Sequence, residues 1–263
     1  MLQPKISLII TTYNWPVALE AVLKSVMRQK VSPNEVLIAD DGSANETKDL
    51  VRAYQSKLSC PLKHIWQEDK GFRLARIRNK AISASVSDYI VMVDGDMILS
   101  SLFIQDHRSA AKKGRFVQGC RAIMDGALSE RVRKVGRYPS LFSRGLKNRK
   151  NALRSDYLSN LFSKEKNNIH STRGCNMSFW KEDLELTNGF NEAFEGWGRE
   201  DSEFCIRMLN LGRRRWYLRF NAVGFHQFHN EAKREMLEKN EKILQESIEI
   251  NKTRCELGLE LHS

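Results

Sequence analysis

Tyr89-Ile90-Val91-Met92-Val93-Asp94-Gly95-Asp96-Met97 is the stretch on which the reading of this chain turns. A short apolar run rich in β-branched residues suits a strand buried on both faces, as in a parallel sheet. The run stops at two carboxylates separated by glycine, and acids at a buried strand end are costly unless a cation meets them. Such a pair, at the carboxyl end of a strand, can cradle a hard divalent ion that carries phosphate. The same letters also suit a solvated Asp-Gly turn. The surrounding chain has to decide.

Toward the N-terminus, strand and helix patterns alternate. Lys5 to Thr11 and Glu35 to Ala39 read as buried strands, joined by a helix that begins at Pro16 behind a cap at Asn14. A short helix through Leu50, Val51 and Tyr54, a strand from Leu62 to Trp66 and a helix from Leu74 to Ile82 complete the series. This alternation predicts parallel pairing with crossover helices. Ligands in such sheets sit beyond the carboxyl ends of the strands. Thr11 to Asn14, Asp40 to Ser43 and Asp94 to Asp96 then share one rim, which favours a site over a simple turn.

Toward the C-terminus the alternation weakens. A helix from Phe103 to Ala111 and a strand from Phe116 to Cys120 are expected. The segment from Ala122 to Asn168 is basic and poor in caps and strands, and reads as one or two short amphipathic helices joined by loops. Arg173 to Trp180 reads as a strand, Asn188-Gly189 as a turn, and Glu195 to Asp201 as a glycine-rich loop leading into a helix through Phe204 and Leu211. Arg215 to Phe220 suits a strand, and Glu231 to Leu257 a long charged helix.

Composition sets the outer limits. With 263 residues, 41% hydrophobic and 29% charged, the chain has the make-up of one large α/β domain or two small ones. It has no run of about eighteen apolar residues that could span a bilayer. Its start lacks the basic and apolar regions of a signal peptide. The five cysteines are scattered without a CxxC pair, which suits free thiols in a reducing compartment. A cytoplasmic location is therefore expected, on or near the inner face of the plasma membrane. The net charge of +11 calls for an anionic partner. Lysines and arginines crowd between Lys112 and Arg154, opposed there only by Asp125 and Glu130. A helix-turn-helix signature and an RNP-type aromatic pair are both missing, so no specific nucleic acid is expected.

Taken in order, Thr11-Thr12-Tyr13-Asn14, Asp40-Asp41-Gly42-Ser43, Arg78-Asn79 and Asp94-Gly95-Asp96 resemble the pattern of family 2 glycosyltransferases of the GT-A fold. Gly174-Cys175-Asn176-Met177-Ser178, Asn188-Gly189-Phe190 and Gly196-Trp197-Gly198-Arg199-Glu200-Asp201 resemble the C-terminal half of β-1,4-galactosyltransferases and bacterial chondroitin-polymerase-type enzymes. The resemblance covers most of residues 5 to 230, apart from the basic segment. It divides the chain into a nucleotide-sugar-binding half (1–121), a basic insert (122–170), an acceptor-binding and catalytic half (171–230) and a C-terminal helix (231–263).

The resemblance implies an inverting, metal-dependent transferase. It would move a hexose or N-acetylhexosamine from a UDP-sugar to a glycan or glycolipid acceptor, with Mn²⁺ or Mg²⁺ as cofactor. Asp96 would be the direct metal ligand and Asp94 would face ribose and metal. Asp41 would accept from the uracil, with Thr11 and Tyr13 lining the base, although Tyr13 also suits plain core filling. Arg78 would face the donor phosphates, with Arg73 and Arg76 as neighbours able to do the same. Gly174 belongs to the nucleotide-sugar side. Asp201 would be the general base, Glu200 would bind acceptor hydroxyls, and Trp197 would offer a stacking face for a sugar. His226 is the expected imidazole ligand, with His229 as the alternative. His64, His107, His170 and His262 have no supporting context. The implied setting is lipopolysaccharide or lipooligosaccharide core synthesis, or else capsule or exopolysaccharide synthesis. The basic segment would contact an anionic membrane or a phosphorylated glycolipid.

Overall fold

The computed structural model describes residues 3–168, 172–230 and 234–262. In chain order the first half runs β1 (Ile6–Thr12), α1 (Pro16–Val26), β2 (Glu35–Asp40), α2 (Asn45–Gln55), β3 (Leu62–Trp66), α3 (Leu74–Ser83), β4 (Tyr89–Asp94), β5 (Met97–Leu99) and α4 (Phe103–Ala110). There follow β6 (Arg115–Gln118), β7 (Arg121–Met124), α5 (Gly126–Val135), β8 (Leu146–Lys147), α6 (Asp156–Phe162) and β9 (Lys164–Glu165). The last third contains β10 (Asn176–Trp180), α7 (Lys181–Thr187), α8 (Glu200–Asn210), β11 (Arg214–Tyr217), β12 (Gly224–His226) and α9 (Leu237–Glu249).

Eight strands form the central sheet in the order β3-β2-β1-β4-β10-β6-β11-β9. The β3-β2-β1-β4 half is parallel throughout, as the alternating pattern requires. Beyond it β10 lies antiparallel between β4 and β6. The alternation of side chains along β4 explains why its sequence is apolar at every step. Tyr89, Val91 and Val93 face a cluster containing Leu19, Val22 and Leu23 of α1 and Phe103 of α4. Ile90 and Met92 face Ile77 and Ile82 of α3 and Phe204 of α8 on the other side. Burial of such side chains contributes roughly 1.5–3 kcal/mol each. Together the five outweigh the cost of holding Asp94, half-buried, at the end of the strand.

A second, four-stranded sheet in the order β5-β12-β7-β8 abuts this edge. Asp94-Gly95-Asp96 is the turn that carries the chain from one sheet to the other. Glycine is required at 95 because an added Cβ would lie 2.5 Å from the carbonyl oxygen of Thr11.

Three local expectations are corrected. Asn14 does not cap α1: its backbone is left-handed, and its side chain accepts from the N–H of Ala44 at 2.9 Å. The basic segment has the two short helices expected, α5 and α6, but it is not poor in caps and strands. Asp125 caps α5 by accepting from the N–H of Leu128, left-handed Gly136 ends it, and Leu128 and Val132 pack against Phe225 of β12. The charged C-terminal helix is shorter than expected, since α9 ends at Glu249 and the chain turns at Asn251. It then runs back so that Leu259 joins the cluster around α3. Residues 231–233, where that helix was expected to begin, and His170 lie outside the described residues. No helix among the described residues is long and apolar enough to cross a membrane.

Candidate active site

Register places the three polar strand ends side by side. Thr11 is level with Asp94 across β1 and β4, and Thr12 is level with Asp40 across β1 and β2. The hydroxyl of Thr11 donates to Asp94 Oδ1 at 3.2 Å. One residue past β2, Asp41 is buried and accepts from Gln67 Nε2 at 2.5 Å and from the N–H of Arg73 at 2.8 Å. Burial pushes its carboxyl above the ordinary range, and these two donors hold it back. Tyr13 does not fill the core. It is half exposed beside Asp41, and its hydroxyl donates to Asp69 at 2.9 Å.

The second sheet brings His226 to Asp96. β12 runs antiparallel to β5 with His226 opposite Met97, and the N–H of Gln227 donates to the carbonyl of Asp96 at 3.0 Å. The Nε2 atoms of His226 and His229 lie 3.3 and 3.2 Å from the same oxygen, Asp96 Oδ2. Burial lowers the His226 pKa, whereas the hydrogen bond to Asp96 raises that of His229 to about 9. The other oxygen, Asp96 Oδ1, is buried without a hydrogen-bond partner. An orphaned buried carboxylate oxygen asks for an explanation. One carboxylate and two imidazoles with ligand atoms within 4.8 Å of one another form a donor set that fits a divalent transition ion.

Across the rim, the loop Gly196-Trp197-Gly198 enters α8 through Arg199, whose backbone is left-handed. This delivers Glu200 and Asp201 at the helix N-terminus, where the helix dipole favours negative charge. Asp201 Oδ2 accepts from the N–H of Gly174 at 2.8 Å. Glu200 Oε1 lies 3.3 Å from Arg78 Nη1, and Arg78 Nη2 lies 3.6 Å from Asp94 Oδ1. Arg78 is 1% exposed, its guanidinium stacked 5.1 Å over the ring of Phe190. Glycine at 174 leaves it room, since a Cβ there would come within 2.9 Å of Nη2. Burial first, and the charge of Asp201 second, push the Glu200 carboxyl up to about 7. Trp197 is exposed, with the guanidinium of Arg234 5.1 Å from its ring centre.

Arg73 and Arg76 take other partners, Arg73 the carbonyl of Glu68 and Arg76 the carboxylate of Glu192. The side chain of Asn79 clamps the Asn188-Gly189-Phe190 turn, donating to the Phe190 carbonyl at 2.7 Å and accepting from its N–H at 2.8 Å. His107 is buried between Asn176 and Ser178, and His262 meets Glu192, both away from the carboxylates of the site.

Residue types and spacing alone do not point to two further groups. Gln227 is fully buried between the two histidines, donating to the Ala18 carbonyl of α1 at 3.2 Å and accepting from Arg133 of α5 at 3.3 Å. Arg121 opens β7 and reaches the thiol of Cys175 at 3.2 Å. In the sequence it is one arginine beside a basic run. Its only signal is its position, directly after Gly119-Cys120, the two residues that link β6 to β7.

The fold is of the GT-A type, and comparison with known proteins agrees. The TarS protein of S. aureus, solved in complex with UDP-GlcNAc, superposes with a TM-score of 0.65 over 98% of this chain and 69% of that one, at 17% identity. The family model for glycosyl transferase family 2 matches residues 7–186, and the chain belongs to that family. A second model, described as the N-terminal domain of galactosyltransferase, matches residues 158–229. Among curated relatives, hyaluronan synthase of Pasteurella multocida is 27% identical over 228 residues, 79% of this chain and 23% of the relative. Chondroitin synthase of Escherichia coli is 27% identical over 242 residues, 84% of this chain and 34% of the relative. The chain thus spans a quarter to a third of the length of these two relatives.

Proposed function

We propose that the protein transfers a hexose or N-acetylhexosamine from a UDP-sugar to a hydroxyl of a glycan acceptor, with inversion at the anomeric carbon. The observation that carries this reading is the buried Arg78, which ties the donor-side acid Asp94 to the acceptor-side acid Glu200. One carboxylate cluster handles the leaving group and the other the incoming hydroxyl, on opposite sides of a single cation.

On the donor side, Asp41 accepts from the base, with Tyr13 and Thr11 as walls. Asp96, His226 and His229 would hold a divalent ion such as Mn²⁺, with Asp94 beside them. When bound, that ion supplies positive charge against the diphosphate as it departs. On the acceptor side, Trp197 offers its exposed face to a sugar ring and Glu200 binds a hydroxyl. Asp201 takes the proton of the attacking oxygen as the new glycosidic bond forms and the bond to the diphosphate breaks. The Gly174 N–H holds Oδ2 of Asp201, and Oδ1, which accepts only a long 3.4 Å bond from the Ser202 hydroxyl, takes that proton.

The product would be a bacterial-type surface glycan, such as a lipopolysaccharide core. Likeness to hyaluronan and chondroitin synthases favours a capsule-type polysaccharide as the second reading. Contact with an anionic membrane is supported by the basic segment, where Phe142 and Tyr157 are exposed among lysines and arginines. The deciding experiment is release of UDP from a panel of UDP-sugars with Mn²⁺. Turnover that EDTA stops supports the reading. No metal-dependent turnover of any UDP-sugar, with glycan acceptors or with water, defeats it.

A further inference from the structure

Arg78 sits where a phosphate-facing cation was expected, yet it is 1% exposed and lies between Asp94 and Glu200. The fold supplies another guanidinium to the same place. Arg121 is opposite Gly224 on the neighbouring parallel strand β12, and His226 is opposite Ile123 two residues on. Side chains two apart along a strand share a face. Arg121 and His226 therefore project from the same side of the second sheet, toward the rim that holds Asp94 and Asp96.

Its reach is fixed at the far end. Arg121 Nη1 donates to the Cys175 sulfur at 3.2 Å. Cys175 comes one residue before Asn176, which is paired with Val93 of β4, so the guanidinium lies at the level of Asp94. Cys175 is followed by β10 and preceded by Gly174, whose N–H holds Asp201. The group thus lies between the donor-side acids and the acceptor-side base.

We infer that Arg121 is the guanidinium that binds the donor's diphosphate, and that Arg78 instead sets the charge balance of the two carboxylate clusters. This rests on the UDP-sugar reading above. Two features of Arg121 suit the role. Its Nε is buried and has no hydrogen-bond partner, leaving a donor for an incoming oxygen. Its hydrogen-bond partner is a thiol that burial keeps protonated, with a pKa pushed up to about 12, and a neutral thiol is a weak acceptor. A guanidinium keeps its charge in proteins, and the neighbouring charges of Asp94 and Asp96 would be countered when a divalent ion arrives. Phosphate oxygens are then the strongest acceptors within reach of its fork.

The test is calorimetric titration of UDP and of uridine, each with Mn²⁺, into wild type, R121A and R121Q. R121Q keeps a polar stem beside Cys175 without the charge. Both variants should bind UDP about 10- to 100-fold more weakly than wild type, and uridine equally well. Either variant binding UDP as tightly as wild type overturns the assignment while leaving the donor reading intact. Equal losses for UDP and uridine also overturn it, because they mean a distorted site and no phosphate contact. Wild type that binds neither ligand overturns the donor reading and this assignment with it.

Discussion

The guanidinium of Arg78 is 3.3 Å from the carboxylate of Glu200, a residue 122 positions away in the chain. With Asp94 on its other side and Phe190 beneath it, this cation is the centre of the site's charge balance. Removing one partner of a buried ion pair leaves the others uncompensated, at a cost of about 3–5 kcal/mol. R78A should lose stability of that order in urea unfolding. A loss under 1 kcal/mol would show that the two acids do not depend on it.

Glu200 makes stability depend on pH. Its carboxyl is raised from the ordinary 4.5 to about 7, so between those values the folded chain holds a proton that the unfolded chain has released. Stability must therefore fall as pH rises through that window, by at most about 1.4 kcal/mol per pH unit. E200Q should flatten this part of the melting-temperature profile. An unchanged slope in E200Q would place the proton on another group.

Asp201 is held by a backbone N–H, an interaction that asparagine can keep only by turning its amide oxygen toward Gly174. D201N should fold normally, bind UDP as wild type does, and lose transfer by about 10²- to 10⁴-fold. Loss of UDP affinity instead would move Asp201 to the donor side.

Metal binding should be coupled to protons. His229 carries a proton up to about pH 9 because of Asp96, and an imidazole must lose it to ligate. Apparent Mn²⁺ affinity should rise close to tenfold per pH unit below that value, with about one proton released per ion. Calorimetry in buffers of different ionisation enthalpy reads this directly. D96N should abolish the Mn²⁺-induced rise in melting temperature, and proton-free binding would exclude His229 as a ligand.

Gln227 fixes the spacing of the two histidines from behind, between α1 and α5. Partners that orient ligands typically matter 10- to 100-fold in metal affinity. Q227A should weaken Mn²⁺ binding by that factor, while Q227E, which keeps the acceptor for Arg133 and the side-chain volume, should leave the melting temperature without metal close to wild type. A large drop in Q227E without metal would make Gln227 a packing residue only.

The contrast between Asp94 and His226 shows what could be read from sequence. Asp94 was legible because a strand buried on both faces has an unbroken apolar pattern, and acids at its end stand out. The second sheet was not legible, because Met97–Leu99 and Gly224–His226 are three-residue strands, too short to show a period. Asp125 and Gly136 did mark the ends of α5, but they were masked by the charge around them. Asn14 looked like a cap because it precedes Pro16, and tertiary contact with Ala44 claimed its side chain instead. The Arg78–Glu200 contact depends on how α3 and α8 pack against one sheet, which neither helix records in its own letters.

The position of β10 has a consequence for biogenesis. Strands β3, β2, β1 and β4 can pair as soon as residue 94 leaves the ribosome, but β6 cannot join them until residues 176–180 are inserted between it and β4. At about 5–20 residues per second, the intervening chain takes several seconds to make. Through that interval the apolar edge of β4 is an open template for pairing with other chains. Aggregation of this protein should therefore be decided during synthesis, and slowing initiation so that nascent chains are sparse should raise the soluble yield more than stabilising the finished fold.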